Sequence, residues 1–244
     1  MKVSIKKQTV IIIASILFVT TSYAQWDKSI KGNGNITAIT RNTSDYDGIQ
    51  CAGPFDYILV SGTEGNIKIE GEENLLEYIV TEVKNNNLIV KVKNNVNLKT
   101  SMKKGIKVTI PFKDITSISL TGSGDLWNED LITSDNLEVK LTGSGDIVLK
   151  SDTNYIKGSI TGSGDLTLNG NTNNLNAEIS GSGDIHGFEL ISKNTEVSIT
   201  GSGNAKVFCS ENFKAKITGS GDITYKGNPK KEDTKVSGSG SIKQ

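Results

Sequence analysis

Apolar and polar residues alternate with period two over most of the chain. The alternation is cleanest around a glycine-rich stretch that occurs seven times. It reads Thr121-Gly122-Ser123-Gly124-Asp125 at first appearance, then returns at 142–146, 161–165, 180–184, 200–204, 218–222 and 237–241. Leu120, Leu141, Ile160, Ile179, Ile199, Ile217 and Val236 each stand two residues before the first glycine. Leu126, Ile147, Leu166, Ile185, Ala205, Ile223 and Ile242 each stand two after the second. Alternate residues of a strand face opposite sides, so one face holds apolar, Gly, Gly, apolar and the other holds Thr/Ser, Ser, Asp. The period excludes helix.

The first glycines fall 18 to 21 residues apart, and a fixed period near twenty marks a solenoid with one coil per repeat. The pattern predicts an all-β protein: a parallel β-helix-like solenoid of about seven coils, each of 18–21 residues. One coil cannot bury its apolar column alone, so stacked neighbours must make the core. At about 4.8 Å per coil, seven coils span on the order of 34 Å. Two accounts of the glycines fit. They supply φ > 0 at a corner, or they lie where close walls leave no room for a β-carbon. The corner is favoured because Ser and Asp are turn formers. Polar loops, as at 169–174 and 227–233, are expected to close each coil.

The rest of the chain divides around this array. Residues 1–24 read as a secretory signal: Lys2, Lys6 and Lys7, an apolar run from Val10 to Val19, then Ser22-Tyr23-Ala24 as a cleavage site. Residues 25–34 are a short extension. Residues 35–114 lack the clean repeat and read as an irregular β cap, with strands at 55–60, 67–70, 79–84, 88–93 and 106–110. Asn85-Asn86-Asn87 signals a hairpin, Glu72 to Glu77 one helical turn, and Pro111 the end of a strand. Residues 115–244 are the solenoid.

Composition narrows the partners. Lysine plus arginine and aspartate plus glutamate are 27 each. Removing the basic leader leaves a weakly acidic chain with no basic footprint for nucleic acid. After the leader no apolar run is long enough to span a membrane. Cys51 and Cys209 are far apart in sequence and are expected to be buried free thiols.

Gly48-Ile49, Gly53-Pro54-Phe55-Asp56-Tyr57 and Glu73-Asn74-Leu75-Leu76, followed by repeated Gly-Ser-Gly-Asp, resemble the head GIN domain family. That family carries the label auto-transporter adhesin and is a domain of unknown function, common in exported proteins of Bacteroidota. The resemblance covers roughly residues 35–240. It implies a β-helix-like fold and brings no catalytic residues. An autotransporter needs a membrane barrel, and the coils run to Gln244, so self-export is not expected.

No constellation points to catalysis or to a cofactor. His186 is the only histidine and reads as a solvated surface residue. Asp125, Asp146, Asp165, Asp184 and Asp222 form one column and are the candidate metal ligands. Their spacing does not match the nonapeptide of calcium-binding β-rolls, and capping of a turn by each aspartate explains them. No metal is therefore expected. The expected function is that of an exported, non-enzymatic, adhesin-like solenoid, in the periplasm, at the outer-membrane surface or outside the cell. Its ligand face runs over Ser144, Asp146, Ser163, Asp165, Ser182 and Asp184, toward a surface glycan or envelope protein. The alternatives are a carbohydrate-active enzyme on the same scaffold and a structural surface spacer.

Overall fold

The computed structural model describes residues 28–101 and 105–244. The leader, with its cleavage site, lies outside the described residues. Almost every element is a strand, as the period-two pattern requires; among the described residues the single helix is one turn, Glu73–Leu76.

Two parallel sheets stack coil upon coil. The first contains Ser117–Gly122, then the segments 136–143, 155–162 and 174–181, and beyond them 194–201, 212–219 and 231–238. The second contains Leu126–Asn128, the segments 147–150 and 166–169, then Ile185–Gly187, Ala205–Phe208, Ile223–Lys226 and Ile242–Lys243. The Gly-Ser-Gly-Asp corner joins the sheets within each coil. Register is kept throughout: Gly122, Gly143, Gly162, Gly181, Gly201, Gly219 and Gly238 are successive partners. Both apolar columns line the interior, and Leu120, Leu141, Ile160, Ile199 and Ile217 are at most 1% exposed. Val236 in the last coil is 42% exposed, because no further strand among the described residues covers it.

A third, short side completes each coil. Ile147–Gly162 and Leu166–Gly181 run around it as single long strands. Residues 169–174, expected as a loop, are therefore strand. Parallel pairing continues around the bend and skips only one rung, between Thr153↔Thr172 and Tyr155↔Asn174. Asparagine amides tie the bend from coil to coil: Asn194 Nδ2 donates to Asn174 Oδ1 at 2.9 Å and Asn212 Nδ2 to Asn194 Oδ1 at 2.6 Å.

The 35–114 segment contributes to the same stack, out of chain order. Gly48–Ala52 pairs with Ser117–Gly122 on one side and Asn87–Val92 on the other. Asp56–Ser61 likewise lies between Leu126–Asn128 and Lys107–Phe112. The coil formed first in sequence is thus held between two formed later. Antiparallel strands close this end: Ile79–Lys84 on Asn87–Val92, and Asn66–Glu72 on Lys107–Phe112, backed by Ile36–Asn42. Asn85 and Asn86 take φ of 49° and 59° in the expected hairpin. The strand expected to stop before Pro111 continues to Phe112. Proline is tolerated because the antiparallel pairing on that edge joins residues 68–70 to 107–109 and stops before Pro111, leaving the proline nitrogen off that ladder. Cys51 and Cys209 are buried free thiols, and burial pushes the Cys51 thiol up.

Candidate functional site

The Gly-Ser-Gly-Asp corner is shaped by two glycines with different duties. Gly162 has φ +128°, so the corner account applies to it. Gly164 lacks a positive φ; a β-carbon there would lie 1.9 Å from the Gly145 carbonyl oxygen and 3.1 Å from Leu141 Cδ2. The close-approach account applies to this second glycine, but the neighbour is the backbone of the coil below rather than an opposite wall. The serine between them is turned outward, and Ser144, Ser163 and Ser182 are all exposed.

Stacking brings the aspartates into one column, and each accepts a backbone hydrogen bond from the next coil. Asp146 N–H donates to Asp125 Oδ1 at 3.1 Å, Asp165 N–H to Asp146 Oδ1 at 2.9 Å, and Asp184 N–H to Asp165 Oδ1 at 2.9 Å. Asn204 continues the ladder by donating to Asp184 Oδ1 and accepting from Asp222 N–H at 3.0 Å. Asp222 Oδ1 accepts from Ser241 N–H and Oγ, both at 2.7 Å. The Ser241 hydroxyl and amide hold the Asp222 carboxyl below the usual aspartate value. The aspartates thus do cap the corner, but across coils, while the expectation was a cap within the turn. One oxygen of each carboxylate is committed to this ladder.

The next outward position forms a second column beside the aspartates: Ile58, Trp127, Val148, Thr167, His186, Lys206, Thr224 and Lys243. His186 Nε2 lies 3.5 Å from Asp165 Oδ2, one coil below. The sequence reading of a solvated histidine missed this contact. The signal lay in the spacing, since 165 and 186 differ by one repeat plus two. Asp165, Asp184 and His186 each offer a ligand atom, all within 4.8 Å of one another and all half-buried.

The sequence also hid a copy of the corner. Gly53 has φ +125°, and its carbonyl accepts the Gly124 N–H at 3.2 Å. Gly53-Pro54-Phe55-Asp56 therefore occupies the repeat position beneath Gly122 to Asp125. Phe55 stands where the second glycine belongs. Directly below, the chain turns off after Val92 and pairs Val96–Lys99 with Lys28–Lys31. Burial and the neighbouring Asp125 push the Asp56 carboxyl up, against the pull of Lys107. Elsewhere an open cleft of about 670 Å³ lies over the crossover near Asp45, Asp47, Glu64 and Asp114. Glu64 there accepts the N–H groups of Tyr46 and Lys113. Among the described residues no helix is long and apolar enough to cross a membrane.

The family described as "Putative auto-transporter adhesin, head GIN domain" matches residues 45–229. The solved structure of a putative adhesin from Bacteroides fragilis is similar, with a TM-score of 0.83 at 24% identity, covering 88% of this chain and 99% of that one. A putative lipid binding protein from Parabacteroides distasonis has a TM-score of 0.74 at 26% identity, with 88% and 99% covered. A putative adhesin from the same organism has a TM-score of 0.72 at 24% identity, again with 88% and 99% covered. No curated protein matches this chain.

Proposed function

The chain belongs to the head GIN domain family, and we propose that it acts as an exported, non-enzymatic, adhesin-like solenoid. Its ligand face is the exposed side of the corner, and its partner is a repetitive surface glycan or envelope protein. The observation that supports this is the in-register column of outward Ser144, Ser163 and Ser182 beside Asp146, Asp165 and Asp184. Hydroxyls and uncommitted carboxylate oxygens recur at the coil spacing of about 4.8 Å along a rigid surface. Linked weak contacts to a repeating partner gain avidity without any single strong one. Catalysis needs unlike groups converging in a pocket, whereas here like groups are spread along a rod.

Substitution of the column tests this reading. Asn204 already serves in the ladder, so Asp→Asn removes charge while keeping the backbone acceptor. Ser144→Ala or Asp146→Asn alone is expected to change retention on a glycan or cell-envelope column only slightly. Combined Asp146→Asn, Asp165→Asn and Asp184→Asn with the three Ser→Ala changes is expected to abolish it. Unchanged retention of the combined variant leaves a structural spacer as the better account. Polysaccharide turnover lost on a single acidic substitution would identify a carbohydrate-active enzyme.

A further inference from the structure

We infer that Asp165, Asp184 and His186 form a binding site for one borderline divalent transition ion, of which zinc is the type. Asp184 ends the corner directly before the strand Ile185–Gly187, and His186 stands two residues on within that strand. The residue between them, Ile185, is buried, so both side chains lie on the outer face. Asp165 belongs to the same column of the coil below, and its carboxylate Oδ1 accepts the Asp184 N–H. The ligands come from two neighbouring coils tied by the Asp184 N–H bond to Asp165 and by the pairing of Leu166 with Ile185 and Thr167 with His186, so their backbone is held in place. The ligand atoms lie within 4.8 Å of one another, and the side chains are half-buried. Zinc accepts imidazole nitrogen and carboxylate oxygen at about 2.0–2.2 Å, and three protein ligands leave an open position.

The repeat supplies its own comparison. The carboxylate pairs Asp125/Asp146 and Asp146/Asp165 have the same ladder geometry as Asp165/Asp184. The residues two positions beyond their upper members are Val148 and Thr167, where the third pair has His186. The acidic ladder alone is a capping device. Imidazole converts one rung into a mixed nitrogen and oxygen set, which selects borderline ions over calcium. The ladder contributes by positioning: Asp165 Oδ1 faces the Asp184 N–H and Asp184 Oδ1 faces the Asn204 N–H at 2.7 Å. That leaves the second oxygen of each carboxylate for the ion. His186 Nε2 already sits 3.5 Å from Asp165 Oδ2.

The chain has one histidine, so its imidazole gives one set of ring resonances. The experiment uses the protein without its leader and without a histidine tag, titrated with zinc chloride and followed by NMR and calorimetry. The expected result is saturable one-to-one binding with a shift or broadening of the imidazole signals, and no such response to calcium chloride. His186→Ala and Asp165→Asn are each expected to weaken binding by about tenfold or more. Asp125→Asn is expected to leave it unchanged. Asp165→Asn keeps an acceptor in the ladder, so the fold is retained, and an unchanged melting temperature verifies this. Imidazole signals that stay still in excess zinc overturn the site. Equal zinc affinity in His186→Ala overturns it as well. Neither result bears on glycan retention, which is read without added metal.

Discussion

At the scale of single residues, the corner glycine is the most constrained feature. A β-carbon at Gly164 would meet the Gly145 carbonyl oxygen at 1.9 Å. Backbone cannot yield as a side chain can, and it is locked on both sides by the parallel ladder. Gly164→Ala is therefore expected to destabilise by about 3 kcal/mol, the upper end for overpacking. At Gly62 a β-carbon would meet only Pro111 Cβ, at 3.6 Å, so Gly62→Ala is expected to be nearly neutral. Urea unfolding of both variants measures this, and a Gly164→Ala variant as stable as the parent would refute the crowding account. The sequence could place both glycines on one face, but it could not divide their duties. That division depends on the neighbouring coil, which no local pattern describes. The aspartates were legible as caps and as a column; that each caps the coil above itself needed the register. His186 was legible only as a lone histidine for the same reason.

Elements were legible wherever local pattern and tertiary pairing agree. The seven corner copies, the Asn85–Asn86 hairpin and the turn at Glu73–Leu76 follow from residue type. The coils inside 35–114 did not, because Phe55 replaces the second glycine and the stacking order departs from chain order. Glu72 is the pin of this end. It is 1% exposed and accepts from Gly34 N–H at 2.6 Å, from Ser101 N–H at 2.8 Å, and from the Ser101 hydroxyl. Those bonds, led by the hydroxyl, hold its carboxyl below the ordinary glutamate value of 4.5. A lowered folded value means stability that is complete above that ordinary value and is lost as pH falls through the folded one. The melting-temperature difference between the parent and Glu72→Gln is expected to be constant from about pH 7 to 5 and to shrink below that. Parallel melting curves down to about pH 3 would show that Glu72 holds no such bonds in solution.

For the whole molecule the two ends of the stack are unlike, and this sets the order of unfolding. At one end the coil 48–61 is trapped between 87–112 and 117–128, and antiparallel strands close the outer edge. Freeing it requires breaking ladders on both sides. At the other end Lys231–Gly238 pairs, among the described residues, only with Asn212–Gly219, and every one of its residues is exposed. In a parallel ladder the bonds of one strand go to both neighbours, so a strand with one neighbour lacks half of them. Its apolar contribution is small too, since Val236 is 42% exposed while Ile217 in the coil before it is fully buried. Each coil touches only its neighbours, so loss of the last one uncovers the next without disturbing those beyond. Local opening is then graded along the rod, and amide exchange reads the gradient. Hydrogen exchange is expected to label 231–243 first, 212–226 next and 190–208 after that, with 117–181 protected longest. Simultaneous labelling of all coils would mean that the stack opens as one unit. Labelling that begins in 48–61 would mean that the trapped coil does not secure its end.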